Sequence, residues 1–165
     1  MTVRRLRAPD DLAVFRALRL EMLRAAPEAY ASTHADVLAL DEAEWLRRME
    51  GTPMWALYDG GAAAGLMAYL RERPSRMRHR AALIMVWVRP GARGGGRADR
   101  LLEAVLDGAR ADGVDQMELN VLASNARAVR FYARNGFRIV GTIPNAFRDD
   151  GGDHDDHVMA RWLKA

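Results

Sequence analysis

The chain has 165 residues, half of them hydrophobic, with no cysteine and a formal net charge of +3. That length supports one domain, residues 1–165, with a core of its own; the absent cysteines exclude disulfides, thiolate metal ligands and a cysteine nucleophile. No apolar run reaches membrane-spanning length, the first residues show no signal-peptide pattern, and so mild a charge does not call for nucleic acid, so the expectation is a cytoplasmic protein.

Val3 to Arg7 alternates and predicts a first strand. Asp10 is placed to cap a helix whose apolar face carries Leu12, Phe15, Leu18, Leu20, Met22 and Leu23, and Pro27 ends it. Ala26 to Tyr30 reads as a loop. Asp41 caps a second helix with Trp45, Leu46 and Met49, broken by Gly51-Thr52-Pro53. Met54 to Tyr58 and Ala63 to Leu70 form a hairpin about Asp59-Gly60-Gly61. Arg71 to Arg80 is a basic segment, read either as a solvated connector or as a contact for an acidic partner. It has no interleaved aromatics of the kind that stack on nucleic-acid bases.

Leu83 to Val88 is a continuous apolar run, which predicts a central strand covered on both faces. Arg89-Pro90 closes it, and Arg93-Gly94-Gly95-Gly96-Arg97-Ala98 leads into a helix striped with Leu101, Leu102, Val105, Leu106 and Ala109. Strand, glycine turn and helix together present backbone N–H groups at a helix amino terminus, with Arg93 and Arg97 beside them. Such a terminus binds phosphate, and a pyrophosphate is the expected ligand. Met117 to Leu122 is a further strand. Ser124 or Asn125 caps a helix bearing Ala128, Phe131, Tyr132 and Asn135, with Gly136 as its stop. Phe137 to Thr142 is a strand, Ile143 to Asp153 a loop, and His157 to Leu163 a closing strand. This order predicts one mixed α/β sheet with helices on its faces.

Two blocks carry a resemblance. Arg93-Gly94-Gly95-Gly96-Arg97-Ala98 matches the Q/R-x-x-G-x-G/A signature of the GNAT-type N-acetyltransferases. Asn125 to Phe137 resembles that family's N-x-x-A-x-x-x-Y-x-x-x-G-F block, in the right order and spacing. Leu18 to Glu21 with Pro27 to Tyr30, and Asp155 to Met159, look like the first helix, substrate loop and last strand of small bacterial members. The resemblance implies the GNAT fold: a mixed, mostly antiparallel sheet of about seven strands with a splayed central parallel pair and helices on both faces.

It also implies acetyl-CoA as donor and a primary amine as acceptor. The pantetheine arm would pair with backbone groups of Val86 and Val88, the pyrophosphate would sit on the amides of Arg93, Gly94, Gly95, Gly96, Arg97 and Ala98, and Asn125 would contact the arm or order the coenzyme's end of the cleft. A backbone N–H near Val86 or Trp87 would meet the developing oxyanion. Tyr132 takes the family's tyrosine position as the acid for the departing sulfur, or is a core aromatic. No glutamate stands at the family's base positions, which read Leu83 and Asn120 here. Glu118 shares a strand face with Asn120 and is either a base acting through an ordered water that Asn120 positions on the substrate side, or a solvent-facing charge. Tyr30 and Trp87 are expected near the acceptor or in packing, and His154 is a second candidate base. Asp153 to His157 enters a strand, where neighbours diverge, so no metal is expected. Homodimers are common in the family. A non-catalytic acetyl-CoA sensor, or transfer of another acyl group, is the alternative.

Overall fold

The computed structural model describes residues 1–164. Its strands form a seven-stranded mixed sheet in the order β1-β2-β3-β4-β5-β7-β6. They are β1 (Thr2–Arg5), β2 (Met54–Asp59), β3 (Ala62–Arg71), β4 (Arg80–Val88), β5 (Gln116–Leu122), β6 (Arg138–Asp149) and β7 (Gly152–Trp162). Five α-helices accompany them: α1 (Leu12–Ala25), α2 (His34–Leu38), α3 (Glu42–Glu50), α4 (Arg97–Ala111) and α5 (Ala126–Arg134). The chain divides into two compact units, one of Met1–Leu70 with Leu83–Asp112, the other of Arg71–Ala82 with the residues from Gly113 onward.

In the first unit, β2 and β3 turn tightly at Gly60 and Gly61, both at positive φ, as a two-residue hairpin turn requires. Asp41 and Glu44 form a reciprocal capping box that starts α3. Thr33 and Asp36 do the same for α2, a short helix that hydrophobic periodicity does not reveal. Asp11, rather than Asp10, precedes α1; its carboxylate caps nothing and is bound by the Arg4 guanidinium at 2.6 and 2.8 Å. The apolar side of α1 (Phe15, Leu18, Met22, Leu23) packs with Trp45 and Met49 of α3 and with Met54, Ala56, Leu66, Ala68 and Trp87 of the strands. Phe15 meets the Trp45 ring edge-on at 5.3 Å. The predicted stripe of α4 is fully buried, and each such leucine is worth roughly 1.5–3 kcal/mol by burial alone. Gly108 lets α4 approach β2, since a Cβ there would overlap the Trp55 indole.

In the second unit, β4 pairs in parallel with β5 over Arg80↔Gln116, Ala81↔Met117 and Ala82↔Glu118. β5 then pairs antiparallel with β7 along its whole length. Met117, Leu119 and Val121 face inward with Tyr132, Phe137 and Met159, while Asn120 is exposed. The expected loop from Ile143 to Asp153 is a correction: β6 runs on to Asp149 and turns directly into β7. Pro144, which reads as a strand breaker, is accommodated because β6 is the sheet edge and the register shifts between Ile143 and Phe147. Asn145, at φ +53, sits in that bulge.

Candidate active site

The first unit holds a strand, a turn and a helix start. β4 was expected to be covered on both faces, but only Leu83, Trp87 and Val88 of its apolar run are buried; Ile84, Met85 and Val86 are half-buried. At the middle of these, Met85 has φ +55. A left-handed methionine inside a strand is a strained position held by its surroundings, and it re-aims the backbone groups next to it. One such restraint is visible: the Tyr30 hydroxyl donates to the Val86 carbonyl at 2.8 Å. Burial pushes the Tyr30 phenol up to about 12, so it stays a protonated donor at neutral pH. Two residues on, Arg93 Nε donates to the Val88 carbonyl at 2.9 Å. Each carbonyl retains a second lone pair. Trp87 points its side chain into the core at 3 % exposure, and its Nε1 is buried with no partner among the described residues, so its ring belongs to packing.

After a short 3₁₀ turn at Pro90–Ala92 the chain enters Gly94, Gly95 and Gly96, at φ +92, +57 and +70. Three successive left-handed residues are a conformation that glycine reaches without steric cost. Gly96 is the N-cap of α4 and has no side chain to occupy the first-turn amides. Arg97 was expected to add charge to this turn. Its guanidinium stands at the turn, Nη1 donating to the Gly94 carbonyl at 3.5 Å, while Nη2 pairs with Asp59 of the β2–β3 hairpin at 3.2 Å and Nε is buried with no partner among the described residues. Arg89, at the end of β4, is held bidentately by Glu21 at 2.6 Å, and that pairing lowers the Glu21 carboxyl below its ordinary range.

The second unit holds the other predicted residues. Asn125 caps α5, its Oδ1 accepting from the Ala128 N–H at 3.1 Å. Two turns on, Tyr132 is 7 % exposed, its ring edge-on to Phe131 and Phe137 at 5.2 and 5.8 Å. Glu118 is fixed by Arg80, through Nε–Oε1 and through Nη2–Oε2 at 2.7 Å, and accepts from Gln116 Nε2 at 2.7 Å. The Arg80 hydrogen bond holds its carboxyl below the usual range, which makes it a weaker base than a free carboxylate. His154 is bound to Asp149 at 2.8 Å and tilted against Phe147 in the β6–β7 hairpin, beyond the stretch where β5 pairs. Sequence reasoning missed Met85 and Arg80, whose effects come from backbone geometry and a partner 38 positions away.

Because the folded Glu118 titrates below its unfolded value, its pairing stabilises the fold above the ordinary carboxylate range and loses that contribution as pH falls through the folded value. Glu118→Gln is therefore expected to melt below the wild type at neutral pH. The two curves should converge as the solution is acidified, which a pH series of thermal melts checks.

The profile of the Acetyltransferase (GNAT) family matches residues 15–137, a span from α1 through the glycine turn to the end of α5. The chain belongs to this family. A GNAT relative, the mycothiol acetyltransferase of Beutenbergia cavernae, is 31% identical over 121 residues, 73% of this chain and 39% of that protein. The L-methionine sulfoximine/L-methionine sulfone acetyltransferase of Pseudomonas paraeruginosa is 31% identical over 118 residues, 71% of this chain and 63% of that protein. The chain thus spans only part of the length of the curated GNAT relatives that it matches. Among solved structures, the yncA protein of Salmonella typhimurium, determined with its cofactor acetyl-CoA, shares the GNAT fold at a TM-score of 0.83 and 22% identity, over 100% of this chain and 95% of that one. No helix among the described residues is long and apolar enough to cross a membrane.

Proposed function

We propose that this chain is an N-acetyltransferase that moves the acetyl group of acetyl-CoA to a primary amine by direct attack in a ternary complex. The observation that carries this reading is the backbone of the first unit: a left-handed Met85 within β4, followed by three left-handed glycines that open α4. Those glycines leave the first-turn amides free of any side-chain cap, the arrangement that favours a pyrophosphate. The half-buried stretch beside the left-handed Met85 supplies backbone polar groups, as the amide-bearing pantetheine arm laid along the strand requires.

Acetyl-CoA supplies an activated thioester. In this proposal the turn from Arg93 to Ala98 holds its phosphates, through the amides other than those of Arg93 and Arg97, which donate to the Pro90 and Gly94 carbonyls at 3.2 Å, and Asn125 steadies the arm. A backbone N–H at Val86 or Trp87 faces the carbonyl oxygen as negative charge develops there. The amine nitrogen bonds to the acetyl carbon, the carbon–sulfur bond breaks, and Tyr132 gives its phenolic proton to the departing sulfur. Glu118 is not given the base role, because its oxygens are engaged by Arg80 and Gln116. The amine enters in its uncharged form, and its surplus proton passes to water. With no cysteine in the chain, no cysteine acyl-enzyme is invoked.

Release of free CoA thiol, followed with a thiol-reactive dye across a panel of primary amines, tests this. The expected result is acceptor-dependent thiol release matched by N-acetylated product. Binding of acetyl-CoA without release on any amine would support a sensor instead.

A further inference from the structure

Arg19 stands apart from the other arginines of the first unit. It lies on the inward side of α1 at 7 % exposure. Arg4, Arg89 and Arg97 of the same unit each meet a carboxylate, of Asp11, Glu21 and Asp59. Arg19 meets none among the described residues. Its Nη1 has only the Met22 sulfur, at 4.0 Å, and its Cζ lies 5.7 Å from the centre of the Tyr30 ring. A guanidinium carries five donors, and a thioether and a ring face satisfy few of them. Burial without an anion is costly, and desolvation pulls the Arg19 guanidinium down, opposed by Tyr30 and aided by the charge of Arg48. The position is not remote from β4: Tyr30, on which Arg19 stacks, donates its hydroxyl to the Val86 carbonyl beside the left-handed Met85.

We propose that Arg19 is the binding group for a carboxylate on the acceptor, so that the amines acetylated are those of amino acids. The inference rests on the acetyltransferase reading above. A carboxylate supplies two coplanar oxygens that match the guanidinium fork, and it provides the counter-charge that no described residue supplies. Tyr30 then has a defined task as the platform that holds the Arg19 plane and at the same time restrains the Val86 carbonyl. It positions both, rather than touching the reacting atoms.

The test measures kcat/KM for acetyl transfer to α- and ω-amino acids, each paired with the amine that lacks only the carboxylate. Wild type, Arg19→Gln and Arg19→Lys are compared, and acetyl-CoA binding is titrated in all three. The expected wild-type preference for the carboxylate-bearing member is about 10- to 100-fold, the value of a hydrogen bond to a charged group. That ratio should fall towards one in Arg19→Gln and be partly kept in Arg19→Lys, which retains charge but not the fork. Equal turnover of both members by the wild type, no turnover of any carboxylate-bearing amine by a protein that binds acetyl-CoA, or a preference kept in Arg19→Gln each overturns the proposal. So does an equal loss on both members in Arg19→Gln, since a merely structural arginine would give that. Failure of the wild type to bind acetyl-CoA would instead overturn the acetyltransferase reading.

Discussion

Gly96→Val is expected to raise the KM for acetyl-CoA at least tenfold while leaving the second unit folded. Gly96 holds φ +70 as the N-cap of α4, and a Cβ there meets nothing within 4 Å, so the change acts through the backbone and not through a clash. A β-branched residue in the left-handed region is strained by about 1–3 kcal/mol. The turn can shed that strain only by rotating its amides away from the position where they converge. A loss of 1.4 kcal/mol in binding is about tenfold in affinity. Gly113→Val is the control. Gly113 has φ +76 at the opposite end of the same helix, with only ordinary contact to Arg71 at 3.6 Å. It should lower the melting temperature by a similar amount, about 2–4 °C per kcal/mol, with the KM for acetyl-CoA unchanged. Equal KM effects from both variants would remove the phosphate role from the turn.

Tyr132→Phe is expected to lower kcat by roughly 10²- to 10⁴-fold, the range over which a positioned acid contributes, with little change in the KM for acetyl-CoA. Phenylalanine keeps the edge-on packing against Phe131 and Phe137, so the fold should tolerate it. Stopped-flow thiol release at several pH values gives the readout. A variant with full turnover across pH would assign Tyr132 to packing alone, as a buried aromatic on a helix face.

The parts of this molecule that were legible beforehand are those set by local chemistry. The α4 stripe follows from periodicity and is buried without exception. The Gly60-Gly61 turn and the Asp41 cap follow from residue type. The family blocks fall where expected, on the α4 turn and on α5. The parts that were not legible depend on distant partners. Glu118 looks like a free strand carboxylate until β4 and β5 align Ala82 with Glu118 and bring Arg80 to it. Arg97 reads as a lone charge beside the glycine turn, and its pairing with Asp59 of the hairpin is set by a partner 38 positions away. Met85 sits in an apolar run whose β-branched Ile84, Val86 and Val88 favour extended backbone, and no residue type signals its left-handed turn. The β6–β7 hairpin was hidden by Pro144 and by the Asp-Gly cluster at its tip, both of which an exposed edge strand accommodates. Only α2 left an unread signal, in the Thr33–Asp36 capping box.

The most direct measurement is a calorimetric titration of the wild-type chain with acetyl-CoA. The account predicts saturable binding at one site per chain, lost or strongly weakened in Gly96→Val and retained in Gly113→Val. A wild-type titration with no binding heat at several temperatures, and no rise in melting temperature at saturating acetyl-CoA, would contradict it.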